Sequence, residues 1–190
     1  MLVIVRHGRT AANASGLLLG RADPPLDDLG LVQAAAAAGA IPEVTRVVAS
    51  PLRRAQETAA AFGCPVETDE RWIELDYGDW DGRPLGAIGP EVWAAWRRDA
   101  HFRPPNGETL AELGTRVRAA CDDLAPAAAT GTVVVVTHVS PVKAAVAWAL
   151  GVGEEVTWHL YVAPASITRV EPRADGGHVL VAFDETGHLS

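Results

Sequence analysis

Leu2-Val3-Ile4-Val5-Arg6-His7-Gly8 is the stretch that decides the fold class. Four apolar residues, three of them β-branched, run without polar alternation straight into an Arg, a His and a Gly. Such a run is expected of a strand buried on both faces of a parallel sheet. Two more runs read the same way: Arg46-Val47-Val48-Ala49, which ends at Ser50, and Val133-Val134-Val135-Val136, which ends at Thr137-His138. Helical patterns separate them, over residues 29–38, 91–99 and 108–124 and after Pro51, where Leu52, Ala55, Ala59 and Phe62 recur at helical spacing. Ser50-Pro51 and Ser140-Pro141 are read as helix starts, with Ser as cap and Pro at the first helical position. Strands alternating with helices predict an α/β fold, a three-layer α/β/α sandwich around a mostly parallel central sheet. Runs 166–170 and 178–183, joined by Arg173-Ala174-Asp175-Gly176-Gly177, predict a hairpin that supplies an antiparallel edge strand.

The chain of 190 residues, 48% hydrophobic and 21% charged, is long enough to bury a core and is expected to form a single domain, 1–190. Residues 72–107 hold four of the six Trp together with many Gly and Pro, and read as a lid-like excursion over one end of the sheet. A net charge of −8 opposes general adsorption to nucleic acid or anionic lipid, so no nucleic-acid or membrane partner is expected. Any anionic ligand needs a local Arg cluster. The longest uncharged stretch, 124–142, carries Pro126, Gly131 and Pro141, which argue against a membrane span and for a buried strand followed by a helix. Cys64 and Cys121 lie far apart without metal-ligand spacing, and no basic head region or cleavage site follows Met1; a cytoplasmic location is expected. The sequence leaves the oligomeric state open.

Ligands of open α/β sheets bind in the crevice beyond the carboxyl ends of the strands. There the three runs deliver Arg6-His7, Ser50 with Arg54 on the following helix, and Thr137-His138. Arg54 falls opposite the apolar stripe of its helix. Two His and two Arg suit a phosphate: Arg offers paired planar donors to its oxygens, and His can attack phosphorus or donate a proton. Taken singly, each has a plainer reading, such as a structural His after a strand or a solvated Arg53-Arg54 pair answered by Glu57. Their joint placement at strand ends carries the phosphate reading.

Arg6-His7-Gly8-Arg9-Thr10, followed by Asn13, resembles the R-H-G-x-[TS]-x-x-N signature of the histidine phosphatase superfamily, which includes cofactor-dependent phosphoglycerate mutases. Four further segments resemble that family in order: Ser50 to Thr58 (S-x-L-x-R-A-x-x-T), Glu74 to Gly82 (E-x-x-[FY]-G-x-W-[DE]-G), Pro105-Asn106-Gly107-Glu108-Thr109 (P-x-G-E-[ST]), and Val136 to Lys143, similar to the second-His motif of the branch containing α-ribazole phosphatases and related acid phosphatases. The resemblance implies a metal-independent, cofactor-free phosphatase for a small phosphorylated metabolite. His7 would be the nucleophile, since a neutral imidazole adds no negative charge of its own when it attacks a phosphoryl group. Glu74 would be the general acid and then base, and Arg6, Arg54 and His138 would clamp the equatorial oxygens, with His138 protonated in the complex. Thr10 and Asn13 are further phosphate donors, although Asn13 has a second reading as a cap of the next turn.

Gly20 and Arg21 stand where family members often contact the rest of the substrate, and are candidate substrate-binding residues. Arg9 either reaches substrate or faces solvent. Trp93, Trp96 and Phe102 either pack the excursion or line an apolar substrate pocket. Asp76 and Asp79 match no tight metal-ligand spacing, so no metal site is expected. Two alternatives remain: a phosphoglycerate mutase of the same fold, although mutases are usually longer, and a catalytically inactive protein that binds phosphorylated ligands.

Overall fold

The computed structural model describes residues 1–173 and 175–190. Its strands are β1 (Leu2–Arg6), β2 (Val44–Ala49), β3 (Val66–Thr68), β4 (Thr132–Thr137), β5 (Ile167–Pro172) and β6 (His178–Glu185). Its α-helices are α1 (Ala11–Ala14), α2 (Asp28–Gly39), α3 (Arg53–Ala60), α4 (Pro90–Arg98), α5 (Leu110–Thr130) and α6 (Val139–Leu150). The three apolar runs are β1, β2 and β4, interior strands of one six-stranded sheet ordered β3-β2-β4-β1-β5-β6. Strands β3, β2, β4 and β1 pair in parallel. On the far side, β5 runs antiparallel to β1 and pairs with β6 in the expected hairpin. The turn of that hairpin includes Ala174, which lies outside the described residues.

Strand periodicity sorts the side chains into two cores. Val3, Val5, Val47, Ala49, Val134 and Val136 pack with Ala37 of α2 and Ala55 and Ala59 of α3. Leu2, Ile4, Val48, Val133 and Val135 face the other way, onto Leu113, Val117 and Cys121 of α5 and Val142 and Ala145 of α6. Helices on both faces leave the carboxyl ends of β1, β2 and β4 side by side at one edge of the sandwich. Arg6 is in register with Thr137, and Ala49 with Val136. The His7 N–H donates to the Thr137 carbonyl at 2.8 Å and the Ser50 N–H to that of Val136 at 3.0 Å, which ties the three strand ends together.

Three boundaries differ from expectation. Helix α3 starts at Arg53, and the residue in its cap position, Leu52, makes no side-chain cap bond; the Ser50 hydroxyl accepts from the Leu52 N–H at 3.3 Å and also bonds His138. Helix α6 starts two residues earlier than read, with His138 as its cap, so Pro141 falls at the third helical position, where an N–H has no intrahelical partner to lose. Helix α5 continues through Pro126 to Thr130, because the alanine-rich tail has high helix propensity and Leu124 and Ala128 bury against the sheet. The short elements α1 and β3 carry too few residues to show a period, and the sequence did not announce them.

Within residues 72–107 the structure holds two single-turn 3-10 helices, Gly78–Trp80 and Leu85–Ala87, and α4, and a third such turn, Glu70–Trp72, ends at its start. Trp96, 1% exposed, lies at the centre of an aromatic cluster with ring centroids 5.5–6.1 Å from Tyr77, Trp80, Trp93, Phe102 and Trp158. Gly78 joins two parts of this region: its φ is +54°, and a Cβ there would lie 2.0 Å from the Pro105 carbonyl oxygen.

Candidate active site

Arg6, His7, Arg54, Glu74 and His138 come together at the strand ends, each of them buried. The His7 ring is fixed by its Nδ1, 2.7 Å from the Gly8 carbonyl. A carbonyl only accepts, so Nδ1 carries the proton and the Nε2 lone pair is the free one. That Nε2 accepts from the Arg54 Nε at 3.2 Å. Burial, and then the charges of Arg54 and Arg6, hold the His7 imidazole well below its ordinary pKa of 6.5, so it is neutral near pH 7.

Arg54 is held by the loop before α2. Its two terminal nitrogens donate to the carbonyls of Ala22 at 2.7 Å and Gly20 at 2.8 Å. Asp81 in turn accepts from the N–H groups of Gly20 and Ala22, both at 2.8 Å. Gly20 therefore belongs to the scaffold of Arg54, and a Cβ on it would lie 2.9 Å from the Leu75 carbonyl oxygen. Arg6 donates to the Val162 carbonyl at 2.6 Å, while its Nε has no partner among the described residues. Arg21 turns to Glu108 at 3.5 Å, and Arg9 pairs with Asp27 at 2.8 Å while staying partly exposed.

Glu74 is 3% exposed, and its carboxyl accepts from the N–H groups of Leu75 at 2.7 Å and Ser140 at 3.2 Å. Burial raises its pKa from the ordinary 4.5, against the pull of those donors and Arg54. His138 lies with its ring centroid 5.0 Å from that of His7 and its Nε2 2.7 Å from the Ser50 hydroxyl; its Nδ1 has no partner among the described residues. Burial and the charges of Arg54, His7 and Arg6 push its pKa well down, so this imidazole is neutral without a bound anion.

Thr10 and Asn13 form a reciprocal cap of α1: the Asn13 N–H donates to the Thr10 hydroxyl, and the Thr10 N–H donates to Asn13 Oδ1 at 3.1 Å. The capping reading of Asn13 is thus the one observed, and Asn13 Oδ1 also receives the Thr10 hydroxyl. Asp76 accepts from the Gly78 N–H and Asp79 from Asn106, so both carboxylates serve turns. Trp93 and Trp96 turn out to do both things weighed for them, packing the cluster and lining a cavity beside Glu74, whereas Phe102 only packs.

Several positioning residues were missed. Thr58 accepts from the Gly8 N–H at 3.0 Å and donates to the Arg54 carbonyl at 2.7 Å, linking the two motifs that carry His7 and Arg54. Arg116 on α5 binds Glu108 and the carbonyls of Arg71 and Glu74, which fixes the backbone that bears Glu74. Thr58 and Asp81 were quoted within motifs, but their partners lie 50 and 61 residues away and nothing local marks them. Gly8 is explained by close approach: a Cβ there would lie 2.4 Å from the Gly30 carbonyl oxygen.

An α/β sandwich that gathers two imidazoles, two guanidiniums and a buried carboxyl beyond its strand ends is built to hold a small anion and move a proton next to it. A model of the histidine phosphatase superfamily (branch 1) matches residues 2–185, and the chain belongs to that superfamily. It is 33% identical over 198 residues to a Mycobacterium tuberculosis bifunctional protein, covering 99% of this chain but 54% of that protein, so it spans about half the length of that relative. It is 33% identical to the Yersinia enterocolitica protein named probable phosphoglycerate mutase GpmB, over 98% of this chain and 93% of that one. Among solved structures, a mycobacterial glucosyl-3-phosphoglycerate phosphatase in complex with VO3 superposes with a TM-score of 0.86 at 30% identity, over 97% of this chain and 98% of that one. The Entamoeba histolytica phosphoserine phosphatase in complex with 3-phosphoglyceric acid superposes at 0.90 and 25% identity, over 100% and 98%.

Proposed function

We propose that the chain hydrolyses small-molecule phosphomonoesters through a phosphohistidine on His7, with Glu74 as general acid and then base and with no metal or cofactor in the reaction. The observation that carries this is the fixed tautomer of His7: a neutral ring whose proton is held at Nδ1 by the Gly8 carbonyl and whose Nε2 lone pair meets Arg54. A phosphate oxygen arriving there would give the Arg54 Nε a better acceptor and release the lone pair. Nε2 then attacks phosphorus, the bond to the ester oxygen breaks, and the proton of Glu74 passes to that oxygen to give the free alcohol. In the second step Glu74, now a carboxylate, takes a proton from water as the water oxygen attacks phosphorus; the P–N bond breaks, phosphate leaves, and His7 and Glu74 return to their starting states.

In this reading Arg6 and Arg54 neutralise the equatorial oxygens, with the unpartnered Arg6 Nε available for one of them. A bound dianion beside His138 offsets the charges that depress its pKa, which supports its protonation in the complex. Thr10 and Asn13 line the same loop and would complete the phosphate shell. Gly20 supports this shell through Arg54, and Arg21 stays at its periphery. Residues 72–107 would act as the lid of a single 1–190 domain, because Glu74 and the aromatic cluster both belong to it. The VO3 complex of the mycobacterial neighbour supports a phosphoryl-like ligand.

The Yersinia relative's name supports a second reading, isomerisation of phosphoglycerate. Purified protein in excess chelator, assayed for phosphate release and followed on 3-phosphoglycerate by NMR, separates the two. Phosphate release that His7→Ala abolishes is expected; isomerisation without free phosphate, or turnover that survives His7→Ala, would refute the phosphatase reading.

A further inference from the structure

A cavity of about 170 Å³ begins where the Glu74 carboxyl is held, since Leu75 and Ser140, whose N–H groups bind that carboxyl, both line it. The rest of its wall is nearly all apolar, with Leu18, Leu85, Leu110, Trp93 and Trp158 among its residues. The volume suits one ring: a dry cavity of about 150 Å³ takes up benzene. One charged side chain faces this space, Lys143. It is the single lysine among the 16 basic residues of the chain. Its ammonium has no hydrogen-bond or ion-pair partner among the described residues, whereas nine Arg side chains are ion-paired.

Lys143 follows Ser140 by three residues, so it lies on the same face of α6 about 4.5 Å further along the axis. An alcohol leaving from the oxygen that Glu74 protonates would emerge at Ser140 and extend toward Lys143. Resting on the phosphomonoesterase reading above, we propose that this cavity is the subsite for the alcohol portion of the substrate and that Lys143 reads a carboxylate on it. The substrates are then phosphomonoesters whose alcohol is a single ring, or an apolar group of that size, bearing one carboxylate. A monoanion is favoured over a second phosphate because one ammonium in an apolar wall leaves half of a dianion's charge uncompensated. Burial draws the Lys143 ammonium below its ordinary pKa, with Glu74 pulling the other way, and a paired carboxylate would relieve that cost.

The test compares 4-carboxyphenyl phosphate with its neutral analogue 4-carbamoylphenyl phosphate. Calorimetric binding to His7→Ala reads the subsite without turnover, and phosphate release by the wild-type chain reads the phosphatase function, so the two ideas fail separately. In the His7→Ala background the carboxylate ester is expected to bind more tightly than the amide. Adding Lys143→Met or Lys143→Gln should lower that preference at least tenfold, about 1.4 kcal/mol, while Lys143→Arg retains most of it. Equal affinity for the two esters, no binding of either, or a preference unchanged in both the Met and Gln variants would overturn the assignment.

Discussion

At the residue scale, two buried carriers of protons have been moved in opposite directions: Glu74 upward by burial, His7 downward by burial and its two Arg neighbours. In the proposed reaction that separation favours a protonated acid beside a neutral nucleophile. General acids typically contribute about 10² to 10⁴ in rate. Glu74→Gln should lose that much in the burst of phosphoryl transfer from an alkyl phosphate, and far less from p-nitrophenyl phosphate, whose leaving group needs little protonation. Rapid-quench measurement is needed because the same variant also fails to activate water in the second step. Equal losses for the two substrates would remove Glu74 from the acid role and make Asp76 the next carboxylate to test.

The two imidazoles also predict how stability depends on pH. Both His7 and His138 have folded-state pKa values below 6.5, so between that value and their folded values the unfolded chain binds protons that the folded chain does not. Unfolding free energy therefore rises with pH through this window, and the stability is lost as pH falls through it. Each such group contributes up to about 1.4 kcal/mol per pH unit. Urea titrations at pH 7.5 and 5.5 should show a loss at the lower pH that shrinks by about 1 kcal/mol in His138→Asn. An identical loss in both proteins would show that His138 is not held neutral.

At the element scale, the site depends on loops whose backbone is held from far along the chain. The loop over residues 20–22 orients Arg54 only while Asp81 holds its two N–H groups. Hydrogen bonds to a charged group are worth about 1.5–3 kcal/mol. Asp81→Ala should lower kcat/KM by roughly 10- to 100-fold and cost about 1.5–3 kcal/mol of stability by urea titration. Wild-type activity in that variant would mean that Arg54 is positioned by α3 alone. Gly8→Ala brings a methyl group against the Gly30 carbonyl and should cost about 1–3 kcal/mol of stability by urea titration; a cost near zero would mean that α2 yields freely. These contacts explain what the sequence could and could not disclose. Strands β1, β2 and β4 were legible because burial on both faces erases polar alternation, and Arg6, His7 and His138 because each stands within two residues of the end of such a run, whereas Glu74 follows no such run and was marked only by its resemblance to a family segment. Asp81, Thr58 and Arg116 were not legible as positioning groups, because their work is done on backbone atoms of distant segments. The end of α5 was misread because a Pro weighs more in a local reading than the packing of Leu124 and Ala128 behind it.

At the scale of the whole molecule, a chain of net charge −8 buries two arginines without a carboxylate ion pair at one place, the strand ends that carry Arg6 and Arg54. That net charge opposes general adsorption of anions, and in the proposed reading selection falls to the buried cluster and the cavity beside it. The sandwich supplies a floor of three tied strand ends, and residues 72–107 carry Glu74 and most of the aromatic cluster beside it. The proposed reaction passes through one covalent state, a phosphoryl group on His7 Nε2. Rapid mixing of the protein with a phosphomonoester, alkaline quench and peptide mass spectrometry tests it directly. The account predicts up to one acid-labile phosphoryl group per chain, formed before steady-state release, carried on the peptide containing His7 and longer-lived in Glu74→Gln. Full turnover with no phosphorylated protein at any time, or a phosphoryl group on another residue, would contradict it.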